Sequence, residues 1–177
     1  MVLKRKRGLF LGLGLSVALV LAVGMSPATA SAGTFAVGGG TVGSGYPPEF
    51  DLSGHHFAFS AHCKSATGDC PPGSGTASGH AVVSHPVLGK AQGHVCAFQA
   101  LGGAGFGFSA ASFAIVVEGG SGPLASFPFL SFIAFDVGPP SGPPDALGIR
   151  PAEECDLIGA PSGFGFPVVQ GNIVVKQ

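Results

Sequence analysis

The 177 residues are 46% hydrophobic and only 10% charged, with 31 Gly, 15 Pro, 15 Phe, no Trp and one Tyr. So few charges exclude a long charged tail and a coiled coil, and they leave no basic patch for nucleic acid. The formal charge of −1 is itself misleading, because four of the eight basic residues (Lys4, Arg5, Lys6, Arg7) fall in the first seven positions.

Those four precede an apolar run, Leu9 to Val23, that ends in Met25-Ser26-Pro27 and the small residues Ala28-Thr29-Ala30. A basic start, an apolar middle and a small-residue end describe a removable secretory signal over residues 1–30. The competing reading is a membrane anchor, which needs about 20 apolar residues. This run is shorter and is interrupted by Gly12 and Gly14. No Cys stands at the junction to accept a lipid, and the basic stretch lacks the adjacent arginines of the twin-arginine route. Past Ala30 no segment reads as a transmembrane span, so the expectation is a secreted protein.

The 147 residues after Ala30 amount to about one domain. They hold Lys64, Lys90, Arg150 and Lys176 against nine acidic residues, a formal charge of −5. Residues 31–54 read as a Gly/Pro-rich arm, or as an edge strand around Thr34 to Val37 followed by a loop. Residues 55–177 read as an all-β domain. His55 to His62 alternates, placing Phe57, Phe59 and Ala61 on one side and His56, Ser60 and His62 on the other. Further strands are expected over 79–84, 91–99, 112–118, 126–137 and 172–176. Turn clusters at 71–75, 102–105, 119–123, 138–145 and 160–163 separate them. Helix is limited to a single turn, since Gly or Pro interrupts every helical pattern. Short strands without crossover helices predict one antiparallel β-sandwich or small barrel. Fourteen Phe remain to build its core.

All four Cys (Cys63, Cys70, Cys96, Cys155) follow the signal, and an oxidising exterior pairs an even count. Cys63 and Cys70 bracket the turn-forming Thr67-Gly68-Asp69, which brings their backbones back to disulfide distance. Cys96 is left to pair with Cys155 across a loop of about 60 residues, a bridge worth on the order of 4 kcal/mol. A zinc site would want close Cys pairs, and there are none.

The six His (His55, His56, His62, His80, His85, His94) fall within forty positions on three consecutive expected strands. If those strands are neighbours, His56, His62, His80 and His94 form a candidate set of metal ligands, imidazole being a preferred donor for zinc, copper and nickel. The plainer reading is a polar outer sheet face. No other cofactor is implied. The chain contains no G-x-S-x-G, H-E-x-x-H, P-loop or calcium-loop motif. Glu153, Glu154 and Asp156 read as a solvated loop around Cys155. Without Trp, and with Tyr46 alone, the chain lacks the aromatic platform usual for sugars, and Asn172-Ile173-Val174 is no glycosylation acceptor.

The elements Phe57-Ala58-Phe59-Ser60-Ala61, Gly79-His80, Gly93-His94-Val95-Cys96, Phe113 to Gly119, Cys155 and the closing Gly171-Asn172-Ile173-Val174-Val175 resemble small secreted β-domain proteins of high-GC Gram-positive bacteria. The resemblance implies an all-β domain with a Cys96–Cys155 bridge and carries no activity with it. Cys63, Cys70 and the His content depart from that group. The resulting expectation is a non-enzymatic module with a structural or protein-binding role toward an extracellular protein or surface component, with extracellular metal binding as the alternative.

Overall fold

A computed structural model describes residues 33–44, 53–102, 108–139, 141–159 and 165–177. The signal assigned to 1–30 and the turn cluster at 160–163 lie outside the described residues. Among the described residues nine strands follow one another: β1 (Thr34–Val42), β2 (His56–Cys63), β3 (Asp69–Cys70), β4 (Ala77–His85), β5 (Gly89–Leu101), β6 (Ser109–Ser121), β7 (Phe129–Asp136), β8 (Ala146–Ala152) and β9 (Phe166–Lys176). One 3-10 turn, Pro123–Ser126, completes the described elements. It occupies the start of the strand expected from residue 126. No helix among the described residues is long and apolar enough to cross a membrane.

The strands pair antiparallel in the order β5-β4-β2-β1-β9-β8-β7-β6, and β6 returns to β5, closing an eight-stranded barrel. Of the two architectures expected, it is the barrel that forms. Every barrel strand lies beside its neighbours in chain order, and β9 runs back along β1. The small β3 stands outside the ring, pairing Asp69 with Gln99 and Cys70 with Phe98. β1 is neither a loose arm nor an edge strand, because β2 flanks it on one side and β9 on the other. The all-β unit therefore starts at Thr34, ahead of the boundary read at residue 55.

Alternation decides which side chains fill the interior. On β2, Phe57, Phe59, Ala61 and Cys63 are buried, while His56, Ala58 and His62 are exposed. An eight-stranded barrel is just wide enough for side chains to fill. Here a run of rings does so: Phe59 lies 4.9 Å from Phe113, which stacks on Phe132 at 4.8 Å and 7°. Leu130, Ile115, Leu147 and Ile173 pack around them, all nearly or fully buried. Leu124, on the 3-10 turn, joins the same core, its N–H donating to the Leu88 carbonyl.

Two glycines make the tight wall possible. A Cβ on Gly38 would sit 2.9 Å from Phe59 Cζ and 3.0 Å from Ile173, so the missing side chain leaves room for the aromatic core. Gly79 has φ of +130°, and a Cβ there would run into the Ser60 carbonyl. Register shifts at Thr41/Val42, Gln92/Gly93 and Val95/Ala97 mark bulges, which sharpen the twist a closed sheet needs.

Cys63 bonds to Cys70 and Cys96 to Cys155, with Cα atoms 5.7 and 6.2 Å apart. The first bridge ties β3 to the end of β2. The second ties β5 to the segment that follows β8.

β9 pairs with β8 at Ala146↔Pro167 and Leu147↔Phe166, and Val168 N donates to the Asp145 carbonyl at 2.8 Å. Farther along β9, carboxylates take over from strand pairing. Asp145 Oδ2 accepts from Ile173 N at 2.7 Å and its Oδ1 from Val137 N at 3.1 Å. Asp136 Oδ2 accepts from Val175 N at 3.1 Å. Two aspartates at the ends of β7 and β8 thus satisfy backbone donors that a neighbouring strand would otherwise bond.

Candidate functional site

The His residues of the sequence separate into two places. His56, His62, His80 and His94 are exposed on the outer wall. Register sets their spacing, since directly opposed residues of an antiparallel pair share a face with Cβ atoms about 5 Å apart. One row across the wall reads Val174, Val37, Ser60, His80, His94 and Val116. His80 and His94 are therefore immediate cross-strand neighbours. His62 lies opposite Ser78, diagonal to His80, and its Nε2 is 2.8 Å from Ser60 Oγ. His56 is six residues along β2 from His62, about 20 Å away in an extended strand. Its Nδ1 is 3.0 Å from Thr41 Oγ1.

The four expected ligands thus share a face without converging. Among the described residues, no three or more His, Cys, Asp or Glu are grouped so as to hold a metal ion. What the register does bring together is the pair His80 and His94, with Glu118 beside it: His94 Nδ1 and Glu118 Oε1 are 2.8 Å apart. Alternation alone places His56 and His62 on one face. The partnership with Glu118 depends on how β5 aligns with β6, bulges included, and no local pattern signals it.

Between the histidines the wall is nearly free of charge. The next row reads Asn172, Gly39, Ala58, Val82 and Gln92. Val174 is 41% exposed, and Val37, Gly39 and Val82 are half-buried. Lys176 and Lys90 stand at its margins, opposite Phe35 and Ser84.

His55 and His85 form a second place at the barrel end that carries the β4–β5 turn. His55 is 1% exposed, and its ring stacks on that of His85 with centroids 4.5 Å apart. His85 Nδ1 accepts from the N–H groups of Val87 and Leu88, both at 3.2 Å, so the neutral ring carries its proton on Nε2. The side chain closes the turn that presents Val87, which is 79% exposed. Replacing His85 with Ala removes the acceptor for both donors and is expected to cost about 1–2 kcal/mol in urea unfolding. His85→Asn, whose amide oxygen can accept one of them, should recover part of the loss. An unchanged unfolding midpoint in His85→Ala would show that the ring does not hold the turn. No motif in the sequence marks this pair; the one local signal is a His directly before Pro86 at a turn.

Glu153 and Glu154 are exposed, as a solvated loop requires. Asp156 instead works locally: its Oδ2 accepts from Arg150 at 3.3 Å and its carbonyl from Ser131 Oγ at 2.6 Å. The segment after β8 is thereby laid over the buried Ser131 on the barrel wall.

No family model, no curated protein and no solved structure matches the chain.

Proposed function

We propose that the protein is an exported, disulfide-locked β-barrel that binds a protein or surface component at the cell exterior, without catalysing a reaction. The observation that carries this reading is the contrast between the two faces of the wall. Inward, Phe57, Phe59, Phe98, Phe113 and Phe132 are buried and packed together. Outward, β9, β1, β2 and β4 offer Val174, Val37, Gly39, Ala58 and Val82, small uncharged groups bordered by His56, His62 and His80. Such a surface loses little side-chain entropy when covered. Two disulfides favour an oxidising compartment, and the leader and the resemblance to secreted Gram-positive β-domains point the same way.

The test places a photo-crosslinking amino acid at exposed Ala58, in the centre of the field, and at Val87, on the β4–β5 turn. Applied to the surface of the producing cells, the Ala58 probe is expected to give a discrete adduct and the Val87 probe none. No adduct from Ala58, or the same adducts from both positions, overturns the reading. Export is checked separately, by the mass of the protein recovered from the medium. It should begin at Ser31 and gain four hydrogens on reduction of the two disulfides.

A further inference from the structure

We propose that His80 and His94 form a two-imidazole site for a divalent first-row transition cation on the outer wall, with Glu118 fixing the orientation of His94. The site is independent of the protein-binding face proposed above and stands or falls without it.

Three features of the geometry carry it. First, His80 and His94 are directly opposed on β4 and β5 and exposed on the same face. Opposed Cβ atoms lie about 5 Å apart. Two imidazole nitrogens bound side by side to one metal at about 2.0–2.1 Å are about 3 Å from each other. Converging rings from opposed positions span that gap without backbone movement.

Second, the His94 ring is already committed in the sense a ligand needs. Its Nδ1 faces Glu118 Oε1 at 2.8 Å. A carboxylate only accepts, so Nδ1 carries the proton and Nε2 keeps its lone pair for a cation. A carboxylate on the far nitrogen of a metal-bound His fixes the tautomer and raises the donor strength. Among the described residues His80 makes no side-chain hydrogen bond that would have to be broken first.

Third, the surroundings leave space and favour positive charge. The groups flanking the pair in its own row are Ser60 and Val116, neither long enough to cover it. The nearest cationic side chain on these strands, Lys90, is four residues from His94, about 13 Å along β5. Glu118 adds a negative charge at the edge. Two imidazoles with water completing the coordination suit copper best, then nickel and zinc, on donor type and the usual order of affinities.

His56 is excluded by distance. His62 is set apart because it is opposite Ser78 and diagonal to His80, about 7–8 Å away instead of about 5 Å.

The experiment is calorimetric titration of copper(II) into the untagged protein, followed by the same titration of single variants. Wild type is expected to take up one equivalent. His80→Ala and His94→Ala should each weaken binding at least tenfold. Glu118→Gln, which touches no metal, should weaken it about 10- to 100-fold. His56→Ala and His62→Ala should bind as wild type does. All five positions are solvent-facing, and unchanged melting curves would show that the variants remain folded. Absence of saturable uptake, wild-type affinity in His80→Ala or His94→Ala, or an equal loss in His62→Ala overturns the assignment. Wild-type affinity in Glu118→Gln overturns its orienting role.

Discussion

Replacing Asp145 with Ala is expected to destabilise the barrel by about 3–5 kcal/mol, because two hydrogen bonds to a buried carboxylate are lost together. Asp145 is 8% exposed, and its two oxygens are divided between Ile173 N on β9 and Val137 N at the end of β7. Where β9 has run past β8, that carboxylate replaces an absent strand. Removing it leaves the buried Ile173 N and the part-buried Val137 N with no partner, each orphaned donor costing about 1–3 kcal/mol. Asp145→Asn discriminates charge from shape. Its single oxygen can serve one N–H, but its amide nitrogen would then face the other donor, so it too should lose at least about 2 kcal/mol. Asp136, half-buried and bonded to Val175 N at 3.1 Å, should cost less when changed to Asn. Urea unfolding measures the total, and amide hydrogen exchange locates it: Ile173 and Val137 should lose protection well before the β1–β2 ladder does. Unaltered protection of Ile173 in Asp145→Ala would rule out the carboxylate as the closure of the seam.

The strands that could be read in advance are those whose order comes from their own alternation. Phe57, Phe59 and Ala61 on β2 announce a buried face without reference to anything else in the chain. β8 does not, because Gly148 and Pro151 break its pattern. Pro151 is accommodated because β8 has no β9 partner beyond Leu147, and a proline is tolerated where a strand lacks a neighbour. β1 was equally hard to read. Gly38-Gly39-Gly40 resembles a loop, yet Gly38 is small because Phe59 and Ile173 occupy the space its side chain would need. That requirement is imposed from residues far away in sequence. The same distinction divides the candidate sites. His56 and His62 are assigned to one face by counting along β2, whereas the His80–His94 pair and its Glu118 depend on the alignment of three strands. Asp145 looked like one more turn residue, and its function appears only once β9 has been laid beside it.

Removing the Cys96–Cys155 bridge is the other change with a large expected effect. The two residues are 59 apart, and closing a loop of that size restricts the unfolded chain by about 4 kcal/mol on the chain-entropy account. Cys63–Cys70, separated by 7, closes a loop worth about 2.5 kcal/mol on the same account. The double variants Cys96→Ala/Cys155→Ala and Cys63→Ala/Cys70→Ala, which bury no new hydroxyl at the core positions Cys63 and Cys70, should therefore differ in urea unfolding by about 1.5 kcal/mol, the long bridge costing more. The long bridge has a further consequence in the folded barrel. It anchors on β5 the segment whose Asp156 carbonyl accepts from Ser131 Oγ, and that hydroxyl is fully buried. Without the bridge, this segment is retained by the Ser131 bond and by the exposed Arg150, which reaches Asp156 Oδ2 at 3.3 Å and the Leu157 carbonyl at 3.5 Å, a weak constraint in water. Limited proteolysis should then cut between Glu153 and Gly159 in the long-bridge variant under native conditions, while the Cys63–Cys70 variant and the wild type resist there. If the short bridge proves as costly as the long one, loop entropy is not what these disulfides contribute. If the long-bridge variant stays uncut, the segment after β8 is held to the wall by contacts other than the bridge.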